Sequence, residues 1–323
     1  MIKGKRIFVS GGAGFIGTKL CERLYEENQI MIYDNLWRDS LKDSPIANHK
    51  NIEFVKGDIL DFDHLKNTVE LFKPDIVVHL AAIAGVDTVM KYPVKTLQIN
   101  MIGTFNMLES VKHKKLERFL DFSTSEVFGS YAYKVDDEAY SSLATVGEAR
   151  WTYSVSKLAG EHLCYAYHRE YGIPTVTVRP FNVYGPGQVG EGAIHRFVVR
   201  ALRGEDIEIH GDGDQIRSWC YIDDFIDGVL LCMEKPEAVG HAFNIGNPKG
   251  TITIWMLAKL VKELANSNSR IIHVPKNYVD VELRIPSIEK ARNILGYEPK
   301  VGLEEGILKT IEWYRGKLTN DKA

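Results

Sequence analysis

Two side chains in the segment WTYSVSK have the types and the spacing of an acid–base pair. Tyr153 and Lys157 lie four residues apart where the pattern predicts a helix, so their side chains share one face, one turn apart. A tyrosine with its ordinary pKa of about 10 is a poor base at neutral pH, and a neighbouring ammonium group favours the phenolate. We therefore expect Lys157 to lower the pKa of Tyr153.

A glycine-rich turn, SGGAGFIG, follows the first predicted strand and opens the first predicted helix. In this context Gly11 permits the tight turn, Gly14 lets a pyrophosphate approach the backbone, and Gly17 allows close helix packing. Asp34 ends the second predicted strand, where its carboxylate can accept hydrogen bonds from ribose hydroxyls. A 2′-phosphate would meet a like charge there. The pattern therefore predicts a site for NAD rather than NADP.

The elements that must position these groups alternate along the first 180 residues. Apolar strands are predicted at Arg6–Ser10, Gln29–Tyr33, Ile52–Lys56, Asp75–Leu80, Arg118–Ser123 and Thr175–Arg179, with helices at Phe15–Glu27, Asp61–Phe72, Val94–Lys112 and Trp151–Tyr171. This alternation predicts an α/β fold with a doubly wound parallel (Rossmann) sheet and a smaller α/β C-terminal lobe. We expect residues 1–180 to form the dinucleotide-binding domain and 181–323 the substrate domain, with 225–245 returning to the large sheet.

Composition excludes several classes of protein. The 323 residues are 45% hydrophobic and 26% charged with a net charge of −3, which is typical of a globular protein and leaves no basic excess for nucleic acid. No apolar run is long enough for a membrane span. The four cysteines form no C-x-x-C pair, and none of the ten histidines has metal-ligand spacing. We expect a cytoplasmic protein without a metal.

Several further segments make the sequence similar to a known family, the extended short-chain dehydrogenase/reductases that act on nucleotide sugars. They are GGAGFIG (11–17), GDI (57–59), HLAA (79–82), STSEVFG (123–129), YSVSK (153–157), RPFNVYGP (179–186), GDGDQIRSWCYIDD (211–224) and FNIGNP (243–248). The resemblance implies that Tyr153, assisted by Thr124, takes the proton of a sugar hydroxyl while hydride passes to NAD. It extends the expected cofactor contacts beyond Gly11, Gly14, Gly17 and Asp34 to Phe15, Ile16, Asn35, Asp58, Ile59, Leu80, Ala81, Tyr153 and Lys157. Asp58 is equally well explained as a turn former.

The resemblance also implies substrate contacts. Asn182 and Arg217 are expected to bind the diphosphate or nucleoside of the substrate, and Ser125 to contact it beside the catalytic hydroxyl. Within the family the sequence looks most like UDP-glucuronate decarboxylases, in which Glu126 and Arg284 fall on catalytic positions. A diphosphate contact is the alternative for Arg284. A UDP-sugar is therefore the favoured substrate.

Other reactions stay open at this point. The substrate loop GPGQVGEGAIHRF copies no familiar decarboxylase loop, and Ser125 stands where many 4,6-dehydratases carry an aspartate. Dehydratase and 4-epimerase are thus alternatives, as are a dehydrogenase that releases NADH and a non-catalytic dinucleotide-sensing regulator. The helices predicted at Val94–Lys112 and Trp151–Tyr171 resemble those that pair family members, so we expect a homodimer.

Overall fold

The strands lie in one large sheet and three small ones. The computed structural model describes residues 2–143, 145–276 and 278–320. Its strands are β1 (Arg6–Ser10), β2 (Gln29–Asp34), β3 (Ile52–Lys56), β4 (Ile76–His79), β5 (Arg118–Phe122), β6 (Tyr131–Val135), β7 (Thr175–Pro180), β8 (Val183–Tyr184), β9 (Ile207–His210), β10 (Ile216–Ser218), β11 (Cys220–Tyr221), β12 (Ala242–Ile245), β13 (Thr251–Thr253), β14 (Ile271–Val274) and β15 (Leu283–Pro286).

The helices include those predicted at Phe15–Glu27, Asp61–Phe72 and Trp151–Tyr171, each of which begins within one residue of its predicted start. They are α1 (Phe15–Leu24), α2 (Phe62–Phe72), α3 (Val86–Lys91), α4 (Pro93–Leu97), α5 (Gly103–Val111), α6 (Thr152–Tyr171), α7 (Ala193–Arg203), α8 (Ile222–Glu234), α9 (Ile254–Leu264) and α10 (Leu303–Asn320). Local chemistry fixes several ends. Asp61 caps α2 by accepting from the amide of His64 at 3.1 Å, and α6 stops where Gly172 takes a left-handed conformation.

The large sheet has the strand order β3-β2-β1-β4-β5-β7-β12, and every neighbouring pair is parallel. Successive side chains of β1 enter opposite cores, so Ile7 and Val9 pack on one face and Phe8 on the other. Such two-sided burial explains the unbroken apolar strands. The expected doubly wound parallel sheet is confirmed, and the chain order reverses between β1 and β4, where such sheets bind ligands.

The smaller part of the molecule is built around a four-stranded sheet in the order β13-β10-β15-β6. Three of these strands lie beyond residue 180, but β6 comes from before it and pairs with β15 in parallel. Strand β12, in turn, lies beyond residue 180 and pairs with β7 in the large sheet. We therefore keep the division at residue 180 as a proposal, since strands cross it in both directions.

The predicted helix Val94–Lys112 is interrupted in the structure. A wider turn at Gln98–Ile102 separates α4 from α5. The buried Asn100 in this turn holds both backbone groups of Ile83, accepting from its amide at 2.8 Å and donating to its carbonyl at 3.1 Å. It also donates to Ser156 at 2.9 Å. This polar network explains the interruption between α4 and α5, and hydrophobic periodicity does not reveal it. Wider helical turns of this kind often occur beside functional sites.

Candidate active site

The glycine turn after β1 has the geometry of a dinucleotide cradle. Gly11 has a φ of +74°, and a Cβ there would lie 2.5 Å from the amide nitrogen of Ala81. At Gly17 a Cβ would lie 2.6 Å from the Cα of Gly12. Neither position admits a side chain, so the backbone itself forms the wall, and the first amides of α1 point toward the space above Gly14.

A cleft of about 370 Å³ lies above this turn, at the carboxyl ends of the central strands. Its walls contain nearly all the residues that the sequence assigns to the cofactor: Gly11, Gly14, Phe15, Ile16, Gly17, Asp34, Asn35, Asp58, Ile59, Leu80, Ala81 and Tyr153. Ser123 and Thr124 line it as well. The cradle and the cleft therefore fit a bound dinucleotide.

Asp34 lies at the end of β2, on the wall of this cleft. Its carboxylate accepts hydrogen bonds from the amides of Ala13 at 3.0 Å and Leu36 at 2.7 Å, which hold it against the glycine turn. Burial raises the pKa of Asp34 above its ordinary value, although these amides oppose the shift. Asp58 also lines the cleft and accepts from the amide of Leu60 at 3.0 Å, so it caps a turn and faces the ligand space at once.

The hydroxyl groups predicted to be catalytic both line the cleft. Tyr153 lies in the first turn of α6, and the side chain of Thr124, which follows β5, acts on its hydroxyl group. Burial raises the pKa of Tyr153 to about 12, and the charge of Glu126 adds to this, whereas Thr124 and Arg150 oppose it. Burial and the Glu126 carboxylate thus outweigh Thr124, Arg150 and Arg38, and the lowering expected from Lys157 stays a prediction.

Lys157 is buried one turn below Tyr153 and lines neither cleft. Its charge acts on two buried groups of the central strands. His79 has a pKa lowered to about 3, by burial first and Lys157 second, and is a neutral ring bonded to Ser10 at 2.7 Å and Thr104 at 3.1 Å. Asp121 is fully buried, and neither of its carboxylate oxygens has a hydrogen-bond partner.

A second cleft of about 660 Å³ joins the first, and Arg38, Gln188 and Val189 line both. Its floor is a buried cluster of charges centred on Glu126. Arg150 binds this carboxylate with both terminal nitrogens, one of them at 2.8 Å, and Arg284 approaches it at 3.8 Å. Burial would raise the pKa of Glu126, but the arginines outweigh it and lower the pKa, so the group is a carboxylate.

Arg217 and Asp280 complete the cluster. Arg217 lies 3.5 Å from Asp280 and donates to the carbonyl of Val281, while Asp280 also lies 3.9 Å from Arg150. Burial lowers the pKa of Arg284 to about 9, which leaves it a cation at neutral pH. Three guanidinium groups against two carboxylates leave one positive charge in excess. Such a buried excess is stabilised by an anionic ligand.

The two other residues predicted to bind the substrate, Asn182 and Ser125, differ in their position. Asn182 lines the second cleft and donates to the carbonyl of Ser218 at 2.9 Å, so the structure brings it together with Glu126, Arg217 and Arg284. Ser125 is buried and lines neither cleft, so a direct contact with the substrate stays a prediction.

Sequence reasoning missed Arg150, Asp280 and Arg38 as site residues. Arg150 lies three residues before Tyr153, and Asp280 lies four residues before Arg284. No spacing rule connects Arg150 to Glu126 or Asp280 to Arg150, because these contacts are between separate elements. Arg38 donates to the carbonyl of Ala84 at 2.8 Å, a contact that its position in the sequence does not indicate.

Comparison with known proteins agrees with this geometry. Residues 7–246 match the model of the NAD dependent epimerase/dehydratase family. The chain belongs to this family. It is therefore an NAD-dependent enzyme.

Three of the proteins that the chain resembles are named for nucleotide sugars that carry a carboxylate. The chain is 37% identical to UDP-glucuronic acid decarboxylase 5 of Arabidopsis thaliana, over 97% of this chain and 90% of that protein. It is 33% identical to the UDP-N-acetyl-alpha-D-glucosaminuronate decarboxylase of Bacillus cytotoxicus, over 98% and 99%. The structure of UDP-glucuronic acid 4-epimerase from Bacillus cereus, in complex with UDP-glucuronic acid and NAD, superposes with a TM-score of 0.88 at 31% identity, covering 96% of this chain and 99% of that one.

The described residues contain neither a membrane-spanning helix nor a metal-binding cluster. None of their helices combines the length and the apolarity that crossing a membrane requires. Within residues 2–143, 145–276 and 278–320, no three histidine, cysteine or acidic side chains gather closely enough to hold a metal ion.

Proposed function

We propose that this enzyme oxidises C4 of UDP-glucuronate and decarboxylates the product. The observation that carries the proposal is the buried cluster around Glu126, which has one positive charge in excess and opens into the cleft beside Tyr153. A uronate brings a C6 carboxylate in addition to its diphosphate. Relatives that decarboxylate UDP-linked uronates support the same substrate class.

The chemistry begins at Tyr153. Its phenolate oxygen takes the proton of the C4 hydroxyl, while the Thr124 hydroxyl hydrogen-bonds to the same oxygen and orients it. NAD, when bound, supplies the hydride acceptor and a positive charge that lowers the pKa of Tyr153. Lys157, directly below, adds a second cation near the tyrosine and is proposed to hold the nicotinamide ribose.

The second step uses the new ketone. The C6 carboxylate is β to the C4 carbonyl, so the C5–C6 bond breaks, CO₂ leaves, and the electron pair moves into the carbonyl as an enolate. A proton from solvent then takes the place of the carboxylate on C5. This route needs no acid for a leaving hydroxyl, and Glu126, held as a carboxylate by Arg150, cannot provide one. Dehydration is therefore disfavoured.

Arg284 is proposed to bind the C6 carboxylate. It is fully buried, its Nε has no hydrogen-bond partner, and its Nη2 donates to the carbonyl of Gly129 at 2.6 Å, which fixes the plane of the guanidinium group. An arginine with a free donor in a buried, fixed orientation suits a carboxylate. Asn182 and Arg217, at the same cleft, are proposed to hold the diphosphate or nucleoside.

The test is incubation of the purified protein with NAD⁺ and UDP-glucuronate labelled with ¹³C at C6. We expect labelled CO₂ and a UDP-pentose or its 4-keto precursor by mass spectrometry. UDP-glucose and dTDP-glucose serve as controls that lack the carboxylate. Conversion of a neutral sugar, with no CO₂ from UDP-glucuronate at high enzyme concentration, would refute the proposal.

A 4-epimerase of UDP-glucuronate is the second candidate, since the Bacillus cereus enzyme has the same overall structure and was solved with this substrate. Epimerisation would return hydride to the opposite face of the ketone and keep the carboxylate. The same incubation distinguishes the two activities, because UDP-galacturonate retains the labelled carbon and a decarboxylated product does not.

We also propose that the enzyme is a homodimer. Three large apolar side chains on the neighbouring helices α5 and α6 are exposed: Phe105 (45%), Val155 (42%) and Tyr165 (53%). Several exposed apolar side chains close together indicate an interface, whereas a single one does not. Light scattering should give twice the mass of the 36.6 kDa chain, and Phe105→Glu should give the single mass. The matched control is Leu71→Glu, on α2, where an equally apolar residue is 83% exposed. A monomeric wild-type protein would contradict the proposal.

The cytoplasm is proposed as the location. Cys21, Cys164, Cys220 and Cys232 are all free and buried, as expected where thiols stay reduced. Subcellular fractionation that recovers the protein from an oxidising compartment would contradict this.

A further inference from the structure

The loop 185–192, between β8 and α7, forms a wall shared by the two clefts. Gln188 and Val189 line both the cofactor cleft and the sugar cleft. The loop is bonded to distant parts of the chain, because Ser40 donates to the carbonyl of Gly187 at 3.1 Å and Tyr314 donates to the carbonyl of Gln188. It therefore lies as a strap across the molecule rather than as a free surface loop.

Glu191 makes the most extensive contacts of this strap. Its carboxylate accepts hydrogen bonds from the amides of Asp87 at 2.7 Å and Thr88 at 3.2 Å, and from the Thr88 hydroxyl. Arg38 lies 3.4 Å from the same carboxylate. Only 15% of the Glu191 side chain is exposed. Since a charged acceptor forms stronger hydrogen bonds than a neutral one, these contacts fasten the strap to the opposite wall.

Two glycines allow this close approach. Gly85 has a φ of +99°, and a Cβ there would lie 2.7 Å from the Glu191 carboxylate. Gly190 has a φ of +94°, and its Cβ would lie 3.0 Å from the Cζ of Arg38. Glycine at both positions removes side chains that would separate the walls, so the sequence is adapted to this contact on each side of it.

The residues that Glu191 contacts lie at the cofactor cleft. Thr88 and Arg38, its partners, also line the cofactor cleft, together with Gln188 and Val189 of the strap. We propose that Glu191 is the clasp of this strap: it must release Thr88 and Arg38 before the dinucleotide can leave, and it thereby sets the residence time of NAD. Glu191 acts as a positioning residue in this role. The inference concerns cofactor exchange and is independent of which sugar nucleotide the enzyme converts.

The test measures dissociation of NADH directly. Protein loaded with NADH is mixed with excess NAD⁺ in a stopped-flow instrument, and loss of the bound-cofactor fluorescence gives the dissociation rate. Glu191→Gln removes the charge but keeps the shape, and we expect the rate to rise by about ten-fold or more, as loss of charge-assisted hydrogen bonds predicts. No sugar nucleotide is present, so the result stays interpretable if UDP-glucuronate is not the substrate.

A matched control separates this effect from a general loss of stability. Glu298 also carries two cationic partners, Arg292 at 2.8 Å and Lys249 at 3.4 Å, but lines neither cleft. Glu298→Gln should leave the NADH dissociation rate unchanged. A rate increase of the same size in this variant would overturn the proposal.

A second variant keeps the inference testable if Glu191→Gln does not fold. Thr88→Val removes one hydroxyl donor and preserves the volume of the side chain, and we expect it to accelerate NADH release by a smaller factor. In the double variant the two effects should be less than multiplicative, because both act on one contact. If folded Thr88→Val or Glu191→Gln protein releases NADH at the wild-type rate, the clasp does not exist.

Discussion

Replacing Asp121 by Asn should change the unfolding free energy more favourably at high pH than at low pH. Asp121 is fully buried on β5, and neither carboxylate oxygen has a hydrogen-bond partner. Burial raises its pKa from 3.8 to about 6, with Lys157 opposing the shift and Glu161 adding to it. Because the folded-state pKa lies above the unfolded-state value, folding disfavours the charged form. The penalty is fully present above pH 6 and absent below pH 3.8.

The magnitude follows from the two pKa values. The rise of the pKa from 3.8 to about 6 corresponds to a penalty of about 3 kcal/mol at pH 8, and linkage leaves roughly half of it at pH 5. Asparagine at this site has its own desolvation cost, which does not depend on pH and cancels in the comparison. The unfolding free energy of Asp121→Asn relative to wild type should therefore be on the order of 1 kcal/mol higher at pH 8 than at pH 5.

The assay is urea unfolding of both proteins at the two pH values, with each midpoint and slope analysed as a two-state transition. Asp63→Asn, at an exposed position on α2, is the control for loss of a carboxylate outside the core. A pH-independent effect of Asp121→Asn would show that Asp121 is ionised at no cost, as it would be with Lys157 or a bound water as a direct partner. The reasoning from an unpaired buried carboxylate would then be wrong.

Three predictions concern the reaction. Tyr153→Phe should leave NAD binding intact and lower turnover about 10²- to 10⁴-fold, the usual effect of losing a general base; wild-type rates would exclude this role. Glu126→Gln and Arg284→Ala should each depress CO₂ release from UDP-glucuronate while NAD still binds in calorimetry, and unchanged release would remove the charged cluster from the reaction. NAD should bind far more tightly than NADP, because the Asp34 carboxylate lines the cleft above the glycine turn and would repel a 2′-phosphate, and tighter NADP binding would refute that assignment.

The doubly wound sheet was predictable because local signals repeat along the chain. Strands β1, β2, β4, β5 and β7 are short, largely apolar runs separated by helical patterns, and burial on both faces requires this composition, whereas the edge strand β3 is mostly exposed. The helix that carries Tyr153 and Lys157 was equally clear, since its length and spacing are local properties. The interruption at Gln98–Ile102 was missed because Asn100 binds Ile83, a partner seventeen residues away.

The sequence by itself determined the cofactor class, since the glycine turn, the helix that follows this turn and Asp34 all lie within the first 34 residues. It also placed Tyr153 and Lys157 on one helix face. Only the tertiary structure decided the electrostatics of the site. Arg150 and Arg284 meet Glu126 from separate elements, Asp280 joins the cluster through Arg150 and Arg217, and burial together with Glu126 raises the pKa of Tyr153. Charge interactions depend on distance and on exclusion of water, and neither is a property of spacing along a chain.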